Sequence, residues 1–149
     1  MLDVMDALQV HAAAAAIAAV DANFTDVSVG AGPPAGKSIR INYGGEQVSA
    51  FFGPESIAKE FMAQVVLIDA YWPAPEKASE TDRVNEGQMA AFAVELRTRV
   101  DSDFQLGGAA VMTKMQPCTV DTAMKGSIRY AHMQWAVGVE PSTEYPWVG

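Results

Sequence analysis

Few residues in this 149-residue chain have the types and spacing that catalysis or metal binding requires. The histidines are His11 and His132, and the single cysteine is Cys118. Neither histidine stands at metal-ligand spacing from the other or from the cysteine, so no zinc site is predicted. A Cys118–His132 dyad is conceivable if the two last strands pair, but a lone cysteine on a strand is more often a packed side chain than a nucleophile.

Aspartates offer another route to chemistry, through general acid–base catalysis. Asp101 and Asp103 lie at the end of a predicted helix, and Asp69 lies on a predicted strand. The sequence identifies no partner for any of them, so general acid–base catalysis is unsupported, and we expect most of these residues to lie on a solvated face or in a loop. The residues therefore predict no catalytic, cofactor or metal site, and we expect the protein not to be an enzyme.

One stretch matches the spacing of a nucleotide-binding loop. The relaxed pattern is satisfied by four residues, Ala31, Gly36, Lys37 and Ser38. A working phosphate loop offers backbone N–H groups and opens a helix, whereas two prolines here lack that donor and residues 39–43 alternate like a strand. We interpret Gly30–Lys37 as a loop between two strands, with three candidate assembly contacts: Gly32, Pro33 and Pro34.

Composition and charge limit the classes of function. The formal net charge of −8 argues against gripping nucleic-acid backbones, because such binding rests on accumulated lysine and arginine. One cysteine excludes an intramolecular disulfide and fits a reducing compartment. The early apolar run Ala12–Val20 is shorter than the roughly 20 residues of a membrane span, and Asp3 and Asp6 replace the basic start of a secretory signal. We expect a cytosolic origin with no membrane anchor.

Two helices are predicted. The first covers Leu2–Ala22, where alanine, the best helix former, dominates one face. The second covers Thr81–Phe104, and its apolar positions recur with a period of 3.6 residues: Val84, Met89, Phe92, Leu96 and Val100. Gly87 is a poor helix former inside this segment, so we expect a neighbouring backbone to pack close there.

Strand patterns precede the second helix. Val27–Val29 is a short strand candidate, and Ile39–Tyr43 and Val48–Phe52 are predicted to form a hairpin across Gly44–Gln47. Phe61–Tyr71 contains a continuous apolar run, which is expected when both faces of a strand are covered. We predict it to be the central strand.

Two further strands follow the second helix. Ala110–Asp121 is interrupted by Pro117, which cannot donate to a ladder and therefore predicts an edge or a bulge. Ile128–Glu140 alternates apolar and polar residues. These segments predict a closing hairpin with a loop over Asp121–Ser127.

Together these elements predict one α+β domain over residues 1–140. Its mixed or antiparallel sheet of four to five strands is packed by the N-terminal helix and the long helix Thr81–Phe104. Residues 141–149 hold two prolines and two aromatics without periodicity. They are either a frayed terminus or an arm whose Tyr145 and Trp147 contact a partner, since aromatic residues dominate interface hot spots.

The order of elements resembles that of the tail-terminator, or tail-completion, family of long-tailed bacteriophages. Four segments carry the resemblance: the helix Met5–Ala22, the strand Phe61–Trp72, the helix Thr81–Phe104 and the strand Tyr130–Glu140. The resemblance implies a structural virion protein of the tail and neck, made in the host cytoplasm. It implies a homohexameric ring that caps the tail tube, stops its polymerisation and joins it to head-completion (stopper) proteins.

The same resemblance implies that DNA passes through the ring without specific binding, and the residues themselves predict no cofactor and no membrane anchor. An acidic lumen is compatible with this role because it does not retain phosphate. Two alternatives stay open. One is another neck component, a stopper or adaptor, and the other is a small-molecule-binding α+β enzyme, which would need a pocket with converging polar groups.

Overall fold

The chain folds into a six-stranded mixed sheet with two α-helices, in a computed structural model that describes residues 1–30, 36–48, 62–74 and 80–141. The elements in chain order are α1 (Leu2–Ala19), β1 (Val27–Val29), β2 (Ser38–Val48), β3 (Met62–Pro73), α2 (Glu80–Ser102), β4 (Ala110–Met115), β5 (Thr119–Lys125) and β6 (Ile128–Pro141). The α+β class and both helices are as predicted. The candidate contacts Gly32, Pro33, Pro34, Tyr145 and Trp147 lie outside the described residues.

The sheet has the order β1-β2-β3-β6-β4, so β3 is central as predicted. β1 and β2 are parallel and every other pair is antiparallel. β4 and β5 lie one after the other along the same side of β6. β4 pairs with its Val137–Pro141 half and β5 with its Ile128–Gln134 half. The strands on both sides of Pro117 are therefore edge strands, as that proline predicts.

Both helices pack on one face of the sheet and enclose the core. α1 contributes five buried residues, Val4, Leu8, Ala12, Ala15 and Ala16. On α2, Phe92 is fully buried and its ring lies 5.8 Å from that of Trp72 and 5.6 Å from that of Trp135. By length and hydropathy α1 would also suit a membrane-crossing helix, but its alanine face is used here for close packing.

The burial of residues at the two ends of α2 differs from the prediction. Met89, Phe92, Leu96 and Val100 are buried, whereas Val84 is exposed near the start of the helix. Phe104 lies beyond the helix end at Ser102 and is exposed as well. Gly87 is exposed, and a Cβ built on it meets no atom within 4 Å. The expected close backbone contact at this glycine is therefore wrong.

The predicted hairpin across Gly44–Gln47 is also wrong, because β2 continues through these residues beside β3. The pairing shifts from Tyr43↔Val66 to Gly45↔Val65, which makes Gly44 the extra residue of a β-bulge. A Cβ on Gly44 would lie 2.9 Å from Leu67 Cγ. Glycine is required there because the bulged backbone passes directly over that side chain.

The closing hairpin is tighter than predicted. Asp121–Lys125 belongs to β5, so the turn to β6 consists of Gly126 and Ser127 alone. Gly126 has φ 63°, which suits the first position of a two-residue hairpin turn. The connection between β4 and β5 is attached to α2 by Arg97, whose guanidinium donates to the carbonyl oxygens of Met115 at 3.1 Å and Gln116 at 2.9 Å.

Candidate functional site

The phosphate-loop spacing does not coincide with a nucleotide site. Ser38 is the buried first residue of β2 and does not open a helix. Lys37 donates from Nζ to Gln88 Oε1 at 2.8 Å, and the same oxygen lies 3.2 Å from Trp72 Nε1. The lysine is thus bonded to α2, and the strand predicted after this motif is confirmed.

A polar network on the face of the sheet opposite the helices centres on Asp69. Its Oδ1 lies 2.6 Å from His132 Nε2 and accepts from Gln134 Nε2 at 2.9 Å. Its Oδ2 accepts from Asn42 Nδ2 at 3.3 Å. The other ring nitrogen of His132, Nδ1, lies 2.7 Å from Asp121 Oδ1. Three strands, β3, β6 and β5, are joined through this one imidazole.

Burial makes this network important for stability. The Asp69 side chain is 8% exposed and that of Asp121 is 66% exposed. A buried carboxylate requires donors, because desolvation otherwise disfavours its charge. Both nitrogens of His132 face carboxylate oxygens, so the ring connects the buried Asp69 to the exposed Asp121. Asp69 is therefore an exception to the expectation that most of these aspartates are solvated.

Tyr71 completes this arrangement by stacking on the imidazole. The ring centroids of Tyr71 and His132 are 4.8 Å apart, with 15° between the planes. Burial raises the pKa of the Tyr71 hydroxyl, and the nearby negative charge of Asp69 raises that pKa further. The raised pKa favours the neutral phenol, which stacks on the imidazole ring.

The conceivable Cys118–His132 dyad is not formed. Cys118 packs against the hydrophobic core, on the helix side of the sheet, whereas both nitrogens of His132 are bonded to carboxylates on the opposite side. Burial raises the pKa of the Cys118 thiol, which disfavours the thiolate. Within the described ranges, no group of three or more His, Cys, Asp or Glu residues is placed to hold a metal ion.

A second histidine–carboxylate contact joins α1 to the end of α2. His11 Nε2 on α1 lies 2.8 Å from Asp103 Oδ2, just after α2. Asp103 Oδ1 also accepts from the Gly107 backbone N–H at 2.9 Å. Asp103 is 38% exposed, in line with a solvated position, but it also has partners that the sequence does not identify, because its carboxylate bonds both α1 and the turn that leads to β4.

The outer side of β5 presents unpaired backbone groups among the described residues. The Ala74 N–H donates to the carbonyl of Arg129 at 2.8 Å, so Arg129 bonds towards β3. Successive residues of a strand direct their backbone N–H and C=O groups to opposite sides. Ile128 and Tyr130, the neighbours of Arg129, therefore bond towards β5. Their partners Lys125 and Ala123 therefore bond inward to β6. The groups that point outward belong to Val120, Thr122 and Met124.

The side chains of these three residues lie on the helix face of the sheet, because Val120 pairs with the core residue Met133. Val120 is 62% exposed and Met124 is 59% exposed. A groove of about 270 Å³ separates β5 from the first half of α2. Its lining includes Asn85, Glu86, Met89, Thr122 and Ala131. We call Val120, Thr122, Met124 and this groove the β5 edge.

The β5 edge is suited to binding protein, whereas the Asp69 network is suited to holding strands together. A free strand edge with exposed apolar side chains is a template for pairing with another chain. Comparison with models of known protein families gives no match to this sequence, and comparison with curated proteins gives none either.

Proposed function

We propose that this chain is a tail terminator of a long-tailed bacteriophage, which assembles as a homohexameric ring at the end of the tail tube. The ring stops tube polymerisation and joins the tube to the head-completion protein. In this role the protein belongs to the tail and neck of the virion and performs no bond-breaking chemistry. The β5 edge is the observation that carries the proposal.

An edge of this kind supports self-assembly for a physical reason. Each unpaired backbone group on β5 can bond a second chain, and the exposed side chains of Val120 and Met124 add apolar area. A surface that binds a different surface of the next copy generates a closed ring when the rotation between copies permits closure. The Asp69 network links β5 to β6 and β3 through His132, which supports the position of this edge on the sheet.

Charge supports the same role. Six chains at −8 each carry −48 formal charge, and phosphate groups are repelled from a surface of that sign. DNA that crosses such a ring is not retained, because retention requires lysine and arginine contacts that release counterions. A channel that DNA must cross without stopping needs this property.

Two measurements test the proposal: the oligomeric mass of the protein and the length of tail tubes that polymerise in its presence. We expect light scattering after size exclusion to give a hexamer and negative-stain images to show rings. When added to polymerising tail tubes, the protein should shorten them and occupy one end. A protein that stays monomeric at high concentration and leaves tube length unchanged would overturn the proposal, and a twelvefold ring would favour a different neck component.

A matched pair of variants tests whether the β5 edge carries the assembly. Val120→Lys places a charge on the edge, whereas Val94→Lys places the same charge on α2, at a residue that is 67% exposed. We expect the first variant to lose the ring and the second to keep it, because a desolvated lysine opposes an apolar contact. Loss of the ring only in the Val94 variant would exclude the β5 edge.

A further inference from the structure

We propose that residues 142–149 of one copy bind the β5 edge of a neighbouring copy as an added strand. The inference deepens the proposed function, on which it rests, by naming the two surfaces that meet between copies. One surface is the outward-facing backbone of β5. The other is the segment that follows β6 and contains Tyr145 and Trp147.

The acceptor surface has the features that strand addition requires. Val120, Thr122 and Met124 direct their N–H and C=O groups away from β6, as the bond from Ala74 to Arg129 establishes. In strand addition, main-chain hydrogen bonds supply affinity and pockets for alternate side chains supply specificity. The groove beside Thr122 and Ala131 lies on the same face as the exposed side chains and supplies such a pocket.

The segment cannot reach the β5 edge of its own chain. Thr122 lies opposite Ala131, ten residues along β6 from Pro141, which is about 33 Å at the rise of a strand. Tyr145 and Trp147 follow Pro141 by four and six residues and extend at most about 14 and 21 Å. β4 also occupies the side of β6 beside Pro141. A second copy is therefore the occupant that fits.

The sequence of the segment fits an edge position. Residues 145 and 147 alternate with Pro146, so a strand whose residues 145 and 147 bond towards β5 turns the proline outward. Proline has no N–H to donate, so no ladder bond is lost when it faces outward, and the outward side is a poorer template for a further strand. One of Tyr145 and Trp147 then lies opposite Thr122 and the other lies opposite Val120 or Met124, where aromatic residues bury large areas.

Disulfide trapping between separate chains tests this geometry. In a Cys118→Ser background, chains with Thr122→Cys are mixed with chains carrying Tyr145→Cys, Pro146→Cys or Trp147→Cys. Opposed residues on paired strands have the Cα separation that a disulfide needs, whereas residue 146 points to the other face. We expect covalent heterodimers from position 145 or 147, with at least tenfold less from position 146. Equal yields at all three positions, or none, would overturn the inference.

A double variant, Tyr145→Ala with Trp147→Ala, tests the energetic contribution. We expect the dissociation constant of assembly, measured by sedimentation, to rise at least tenfold. Rings that form at the wild-type concentration without these aromatics would overturn the inference and leave the proposed function intact. Trapped heterodimers from a protein that does not cap tail tubes would uphold the inference and overturn the function. A monomer that traps no heterodimer would overturn both.

Discussion

At the residue scale, the buried carboxylate of Asp69 depends on His132. Replacing His132 with alanine removes the bond of 2.6 Å to Asp69 Oδ1 and leaves the amides of Gln134 and Asn42 as its donors. We expect His132→Ala to lower the free energy of unfolding by about 1.5–3 kcal/mol, because the buried Asp69 carboxylate loses one of its three hydrogen-bond partners. Urea denaturation followed by circular dichroism measures the change.

Asp121→Asn is the matched control for that variant. Asp121 is bonded to the same imidazole, but its side chain is 66% exposed, and exposed ion pairs contribute at most about 1 kcal/mol. We expect a loss below that value. A larger loss for Asp121→Asn than for His132→Ala would show that the bond to β5, and not the burial of Asp69, dominates the network.

Asp103 makes the protein sensitive to acid. The Gly107 N–H lowers the pKa of the Asp103 carboxyl, and the bond from His11 lowers it further. Because the folded-state pKa lies below the unfolded-state pKa, the stabilisation is present above the unfolded carboxyl range and is lost as the pH falls through the folded value. We expect Asp103→Asn to reduce the fall in unfolding midpoint between pH 5 and pH 3.

The neighbouring Asp101→Asn removes the same formal charge and serves as the control for that experiment. Asp101 is exposed on the last turn of α2. Equal effects of Asp101→Asn and Asp103→Asn on the fall in unfolding midpoint between pH 5 and pH 3 would show that net charge, and not the Gly107 and His11 bonds, sets the acid response.

Cys118 should react slowly with thiol reagents. Burial raises the pKa of its thiol, so less thiolate is present at a given pH, and the thiolate is the reacting form. We expect modification by an aromatic disulfide reagent at pH 8 to be at least several-fold slower in the native protein than in denaturant. A native rate that exceeds the denatured rate would indicate an activated cysteine and contradict the packed position.

At the element scale, two glycines have opposite roles. Gly87 lies inside α2 with no atom within 4 Å of its built Cβ, so Gly87→Ala should raise the free energy of unfolding by about 0.5–1 kcal/mol. Gly44 forms the bulge of β2 above Leu67. We expect Gly44→Ala to lower that free energy by about 1–3 kcal/mol through overpacking. Thermal denaturation of both variants checks the signs, and a destabilised Gly87→Ala would contradict the open helix surface.

The sequence predicts elements best where burial imposes a period. The α2 positions from Met89 to Val100 and the alternation of β6 are confirmed, because one buried face selects apolar residues at fixed spacing. The prediction of a turn at Gly44 and Gly45 is wrong because a turn and a bulge both favour glycine. Only the pairing of Gly45 with Val65 distinguishes these two structures.

The Asp69 network could not be found from the sequence for a related reason. Asp69 and His132 are 63 residues apart, and no local pattern connects them. Their meeting depends on the register of β3 against β6, which pairs Asp69 with Gln134 and Tyr71 with His132. The available signal is the run of alternate polar residues on two long strands. That signal predicts a shared face but does not set the register.

At the scale of the whole molecule, the net charge predicts whether the protein binds DNA. Several basic side chains are already bonded within the chain: Arg40 to Asp26 at 2.7 Å, Arg97 to two carbonyls and Lys37 to Gln88. The formal net charge remains −8. We expect no binding of a labelled DNA duplex in fluorescence anisotropy, because phosphate contacts require accumulated cations.

We expect no DNA binding by either the single chain or the ring, at 50 mM and at 150 mM salt. Lower salt lengthens the Debye screening length, so repulsion between like charges is strongest there and any local attraction is also easiest to detect. Binding that appears at 50 mM and weakens at 150 mM would show a basic patch large enough to grip phosphate. Because a ring that retains DNA obstructs its passage from head to tail, that outcome would count against a terminator and in favour of a DNA-holding neck protein.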